Sequence, residues 1–155
     1  MNRLLAVLLL LLTVCLAAPA SAQTANDDIQ LTRSVVQTER QAVIAANLGL
    51  SDAESAVFWP LYKEYRAAVD QAVDVRVALL KTYFASYETL TDAEATALLD
   101  DFLAYEKNLL KVRTTYAKKM QKVLSGRTVA RFFQIENKMD TIIEYEMAGE
   151  VPLIK

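Results

Sequence analysis

Very few residues in this chain can interrupt a helix, and that scarcity limits the fold more than any other feature. The 155 residues include three glycines and three prolines. After residue 22 the helix breakers are Gly49, Gly126, Gly149, Pro60 and Pro152. Alanine, leucine, glutamate and lysine, which all favour helices, occupy much of the sequence between them. We therefore expect an all-α fold with long helices, because no stretch alternates with period two for long enough to form a strand.

The glycines fall where helices are expected to end or meet. Gly49 follows an apolar segment and suits the C′ position after a helix end. Gly126 separates two segments of helical periodicity, and Gly149, with Pro152 soon after it, suits the end of the last helix. These positions account for the glycines and leave no loop of the kind that surrounds phosphate.

Two short phrases mark where helices are expected to begin. Ser51 to Glu54 and Thr91 to Glu94 both read hydroxyl residue, Asp, Ala, Glu. In such a capping box the hydroxyl accepts a bond from the amide of the glutamate, whose carboxylate accepts one from the cap amide. Ser125 is a third candidate cap, although Thr128 stands where an acidic residue would complete the box.

Together these signals predict four helices, at about 27–47, 52–88, 92–124 and 127–148. Helices this long exceed the usual mean of about three turns, so we expect extended antiparallel hairpins in a single helical domain. We expect coiled-coil-like contacts and a homodimer, because a thin array of helices buries little apolar surface alone. Pro60 removes a backbone bond inside the second helix and predicts a bend there.

Apolar residues recur at helical spacing in each predicted helix. On the third helix this stripe comprises Leu99, Phe102, Leu109, Tyr116, Met120 and Val123. Charged residues also fall on or near such stripes, namely Arg76, Glu106, Arg113 and Glu136. A charged residue on an apolar stripe needs a partner, so we expect these residues to form pairs that fix helix register.

Tyrosines and the single tryptophan cluster on the second and third predicted helices. Large amphipathic rings suit adaptable protein contacts, but they also suit a helical core, and the sequence leaves both interpretations open. The candidate client-binding or partner-binding residues are Phe58, Trp59, Tyr62, Tyr65, Tyr83, Tyr87, Phe132 and Phe133.

The first 22 residues have the pattern of a secretory signal peptide. Arg3 precedes an apolar run over residues 4–18, which is shorter than the roughly 20 residues that span a bilayer. Pro19 and an Ala-x-Ala site ending at Ala22 predict cleavage, periplasmic localisation and no stable membrane insertion afterwards. The alternatives are an uncleaved anchor and lipidation at Cys15, which follows a valine larger than lipidation sites prefer.

Cleavage at Ala22 would leave one domain, residues 23–155, without cysteine or histidine, because Cys15 is the single cysteine and the chain has no histidine. The usual Ser-His-Asp and Cys-His forms of catalysis are therefore excluded, as are histidine-based metal sites. We expect no enzymatic activity, no metal and no cofactor. Removal of Arg3 leaves 16 basic (17 − 1) and 19 acidic residues, which does not favour nucleic acid as a partner.

One phrase recurs at the predicted joints between helices. It reads Leu50-Ser51-Asp52-Ala53-Glu54, then Leu90-Thr91-Asp92-Ala93-Glu94, and more loosely begins again at Leu124-Ser125. This phrase resembles the L-T-x-x-Q motif of the Spy/CpxP family of small exported helical proteins, with glutamate in place of the family's glutamine. The segments 58–65 and 131–146 are similar to a group of uncharacterised exported relatives.

The resemblance implies an ATP-independent periplasmic chaperone or envelope-stress protein. Such a protein would bind partly unfolded clients through an apolar, tyrosine-bearing helical surface near the joints and along the second and third helices. One alternative is an adaptor that docks on one defined folded envelope partner, in signalling or in structure. A metal-stress sensor, a role that the family also implies, is less favoured because the chain lacks histidine and keeps no cysteine after cleavage.

Overall fold

The computed structural model describes residues 36–155, and this part of the chain is all-α, as predicted. The helices are α1, described over residues 36–48, α2 (Asp52–Ser86), α3 (Asp92–Met120) and α4 (Gly126–Glu150). No strand occurs in residues 36–155. The signal-peptide pattern, Cys15 and the predicted start of the first helix lie outside the described residues.

The predicted joints coincide with real helix ends. α2 and α3 each begin directly after the predicted hydroxyl caps, Ser51 and Thr91. Gly49 has φ of 67°, a left-handed conformation that glycine adopts without the steric cost of a side chain, which explains its place after α1. α3 ends at Met120, earlier than expected, because residues 121–124 form turns in which the amides of Lys122 and Val123 bond at i→i−3 spacing.

Two compact units divide the chain, Met1–Ala42 and Val43–Lys155. Within the first unit, residues 36–42 are helical. The second unit contains residues 43–48 of α1 and the whole of α2, α3 and α4, and it holds the aromatic core.

Contacts within the second unit define the order of its helices. Glu64 of α2 pairs with Lys119 near the end of α3, whereas Arg76 further along α2 lies over the ring of Tyr105. Partners on α2 and α3 therefore run in opposite order. Partners on α2 and α4 run in the same order. The early residues of α2 contact the beginning of α4, and the later residues of α2 contact the segment after α4.

Burial is uneven along the second unit. Its fully buried side chains all lie in residues 43–72 and 105–136, which we call the core half; the largest are Ile44, Phe58, Tyr65, Met120 and Phe132. Residues 73–104 and 137–155 form what we call the open half, where every described apolar side chain keeps some contact with solvent. α2 continues through Pro60 without interruption, and the bend and the homodimer stay predictions.

Candidate functional site

The repeated joints are helix caps with complete hydrogen bonding. The amide of Thr91 donates to Glu94 Oε2 at 2.9 Å, and the amide of Glu94 donates back to the Thr91 hydroxyl at 3.3 Å. Ser51 and Glu54 repeat this arrangement at 3.0 and 3.3 Å. The cap amide and hydroxyl lower the pKa of both glutamates, because hydrogen bonds to the carboxylate favour its charged form. The two capping boxes are confirmed.

The third joint is a cap without the acidic partner. The Thr128 amide donates to the Ser125 hydroxyl at 3.1 Å, and the two hydroxyls lie 2.8 Å apart. Ser125 is therefore confirmed as an N-cap. The leucines before the caps contribute to burial, since Leu124 is buried and Leu50 and Leu90 are half-buried. These positions explain the repeated phrase as local helix structure.

Four of the eight aromatic residues predicted to contact a client or partner lie in the protein core. Phe58, Tyr62, Tyr65 and Phe132 are buried, so the prediction that they contact a partner is wrong for this conformation. The Phe132 ring lies 5.3 Å from that of Phe58 and 5.6 Å from that of Tyr65, in edge-to-face geometry. Such ring pairs stabilise a core beyond their area alone. Core burial, which the sequence left open for these residues, is what the structure shows.

The other predicted aromatic residues are only half-buried. Trp59 packs on the edge of the aromatic core through Phe58, and Phe133 does so through Phe132. Tyr83 and Tyr87 lie in the open half, with ring centroids 5.9 Å apart. These aromatic residues therefore form two groups at different levels of the helices.

Charged side chains link the helices inside the core half. Glu136 is 2% exposed and accepts a hydrogen bond from Arg66 Nη1 at 3.3 Å, while Arg66 also binds Asp70 at 3.0 Å. The sequence predicted a partner for Glu136 but did not identify Arg66, which lies one turn after Tyr62 and one turn before Val69, at the flank of the buried face of α2. Burial and the nearby charge of Glu136 raise the pKa of Tyr65 well above its usual value.

The other charged residues predicted on stripes behave differently. Arg113 Nη2 binds Asp140 at 2.7 Å and joins α3 to α4. Burial opposes the charge of Arg113, but Asp140 and Tyr65 outweigh that effect and raise its pKa. Glu106 is exposed, so its prediction as a stripe residue that needs a partner is wrong. It lies on a side of α3 that no described helix covers.

That uncovered side of α3 carries a row of leucines. Leu99, Leu103 and Leu110 are 55%, 54% and 65% exposed. At 3.6 residues per turn they fall within about 40° of one another, roughly 110° away from the buried face of the helix. We call these three residues the leucine stripe. Helical periodicity did not predict the leucine stripe, because it placed Leu99 on the core-facing stripe with Phe102 and Val123, which are also exposed.

An apolar cavity of about 410 Å³ lies in the open half between α2, α3 and α4. Its apolar walls come from all of these helices and from the segment after α4: Leu79, Leu80, Ala95, Leu98, Leu99, Phe102, Met147, Ala148, Val151 and Ile154. The cavity also reaches Arg76, Tyr83 and Glu144. We call it the distal cavity.

A basic groove lies along α4. It has a volume of about 930 Å³ and includes Arg127, Arg131 and Lys138 along α4, with Asn47 from α1. The Arg131 Nε donates to the Asn47 carbonyl at 2.8 Å, which fixes one of the three cations. The i, i+4, i+11 spacing of these residues places them on one helix face, and this signal was present in the sequence.

Residues 36–155 contain neither a candidate metal cluster nor a candidate membrane span. No group of three or more histidine, cysteine, aspartate or glutamate side chains in this range could hold a metal ion. No helix in the same range is long and apolar enough to cross a membrane. Comparison with known families finds no matching family model, and neither curated proteins nor solved structures provide a match.

Proposed function

We propose that the protein is an ATP-independent chaperone or envelope-stress protein that binds partly unfolded proteins in the periplasm. The observation that carries this proposal is the leucine stripe, whose members are all more than half exposed on one side of α3. Apolar side chains exposed along one face of a folded protein suit a binding surface for protein or membrane. The resemblance of the joints to the L-T-x-x-Q motif and the N-terminal segment support the class and the compartment.

The stripe suits weak and exchangeable contacts with clients. Burial of apolar area stabilises by about 25 cal/mol per Å², so three separated leucines contribute a modest free energy each. Glu106 lies within the row and Lys107 beside it, which keeps the surface hydrated when no client is bound. A client segment with apolar side chains at irregular spacing can bind several of these positions in turn, without nucleotide.

The test replaces the stripe and measures aggregation of an unfolded client at low salt. Glutamine has nearly the helix propensity of leucine, so the triple variant Leu99→Gln, Leu103→Gln, Leu110→Gln should keep its helix content and thermal stability. We expect the unaltered protein to suppress light scattering at substoichiometric amounts and the triple variant to lose most of this effect.

A matched control replaces three exposed apolar residues outside the stripe, in the variant Val57→Gln, Val123→Gln, Leu153→Gln. The side chains involved are 39%, 49% and 88% exposed. We expect this control to suppress aggregation as the unaltered protein does. If both variants lose the same amount of aggregation suppression, the leucine stripe is not the client-binding surface. If client aggregation proceeds unchanged at molar excess of the unaltered protein, the protein is not a chaperone.

The basic groove on α4 favours a second candidate function, an adaptor that docks on one folded envelope partner with an acidic surface. A groove whose cations are partly fixed, as Arg131 is by Asn47, suits a defined partner better than variable clients. Cross-linking in the periplasm separates the candidates. Cross-linking to one stoichiometric partner that disappears in the double variant Arg127→Gln, Lys138→Gln supports the adaptor. Cross-linking to many unfolded clients that is unchanged in this variant supports the chaperone.

A further inference from the structure

The distal cavity has the size and lining of a small-molecule site. Its volume of about 410 Å³ lies within the roughly 300–1,000 Å³ range of ligand pockets. Leu79 and Leu80 of α2, Leu98 of α3 and Met147 of α4 form its apolar walls. Such a lining excludes strongly hydrated molecules from the interior and suits an alkyl chain.

The segment after α4 closes the cavity on one side. The Tyr83 hydroxyl donates to the Pro152 carbonyl at 2.6 Å, and Lys155 Nζ binds Glu88 at 2.7 Å. These contacts hold Val151 and Ile154 against the cavity, whose wall they complete. Helices and the segment after α4 therefore bound the cavity, which stays open to solvent at Leu99 and Ile154.

A single cation lies among the described residues that line the cavity. Arg76 is 25% exposed, and its Nη1 is 3.7 Å from Glu144 Oε1, which is longer than a hydrogen bond. The Glu144 side chain is 53% exposed and can turn to solvent. Arg76 also lies over the ring of Tyr105, at 6.0 Å from its centroid, and this contact orients the guanidinium group.

We propose that the distal cavity binds a fatty acid, with the carboxylate at Arg76 and the alkyl chain between Leu79, Leu98 and Met147. The planar guanidinium group matches a carboxylate, which can accept two parallel hydrogen bonds from it. Glu144 competes with the ligand for Arg76, and its displacement into solvent accompanies binding. This site overlaps the leucine stripe at one residue, Leu99, and its other lining residues lie outside the stripe.

Dodecanoate and dodecanol share an alkyl chain and differ in the carboxylate, so together they test the role of Arg76. Each is titrated into the intact protein by calorimetry, below its aggregation concentration. We expect Arg76→Gln to weaken dodecanoate binding about tenfold, the usual order for loss of a charged hydrogen bond, and to leave dodecanol binding unchanged. Glu144→Gln should strengthen dodecanoate binding, because it removes the competing carboxylate. If Arg76→Gln weakens both ligands equally, or Glu144→Gln weakens dodecanoate, the assignment of the carboxylate to Arg76 is wrong.

The location is tested with a matched pair of larger side chains on α3. Ala95 lines the distal cavity, whereas Ala104 lines a different groove between α2 and α3. We expect Ala95→Trp to abolish binding of both ligands and Ala104→Trp to leave it unchanged, with equal helix content by circular dichroism. Binding that survives Ala95→Trp, or no binding of dodecanoate to the unaltered protein, overturns the proposal.

Discussion

Substitution of Phe132 by alanine tests the division of the second unit into a core half and an open half. The Phe132 side chain is 1% exposed and its ring is in contact with four other rings. Truncation of a buried phenylalanine to alanine costs about 3–5 kcal/mol. The number of ring neighbours favours the upper part of that range, whereas the higher helix propensity of alanine returns about 0.5 kcal/mol. We therefore expect a loss of about 4 kcal/mol.

Urea denaturation followed by circular dichroism measures this change, with the free energy of unfolding obtained by linear extrapolation. The matched control is Phe84→Ala, at a ring that is 45% exposed in the open half. We expect Phe84→Ala to cost less than about 1 kcal/mol, as for most surface substitutions. If the two variants lose equal stability, the aromatic core does not dominate the second unit and the reasoning fails.

Three further predictions concern charge and processing. Arg66→Leu should cost about 1–3 kcal/mol in urea denaturation, because it removes a hydrogen-bond donor from the buried carboxylate of Glu136. Adding Glu136→Leu should restore part of this loss, and a double variant less stable than the single variant would contradict the prediction. The lowered pKa values of Glu54 and Glu94 mean that their stabilising effect is present above the ordinary value of 4.5 and is lost as pH falls through the lowered values. The thermal midpoint of Glu54→Gln with Glu94→Gln should therefore fall less on acidification than that of the unaltered protein, and an equal fall would show that the caps do not titrate with folding. If the N-terminal segment is a cleaved signal peptide, mass spectrometry of the protein recovered from the periplasm should find Gln23 at its N-terminus, whereas an intact residue 1 would exclude cleavage at this site.

The helix boundaries could be predicted from the sequence because a cap is a local structure. A hydroxyl, an amide and a carboxylate within four residues satisfy one another whatever lies elsewhere in the fold, so Ser51 and Thr91 marked α2 and α3 correctly. The end of α3 was less predictable. Apolar periodicity continues to Leu124, and only the turn hydrogen bonds of residues 121–124 show that the helix stops at Met120.

The role of each apolar face could not be predicted, because periodicity identifies a face and does not show whether another helix covers it. Phe58 and Tyr65 belong to the core since α4 reaches them, whereas Leu99 and Phe102 stay exposed although they share the same pattern. The leucine stripe lies on a second face of α3, and a search for one face per helix passes over it. The sequence placed Arg76 on or near an apolar stripe, but its position at the edge of a cavity depends on the three helices around it.

Because the fully buried side chains lie only in the core half, local unfolding of the second unit should begin in the open half. Backbone amides of residues 73–86 and 92–104 are protected by helical hydrogen bonds with little tertiary reinforcement, so they should exchange with deuterium through local openings that leave the aromatic core intact. The capping box at Thr91 lies at the far end of this weakly reinforced region and supplies stability where the core does not reach. We expect such openings to change the width of the distal cavity while residues 43–72 and 105–136 preserve the fold.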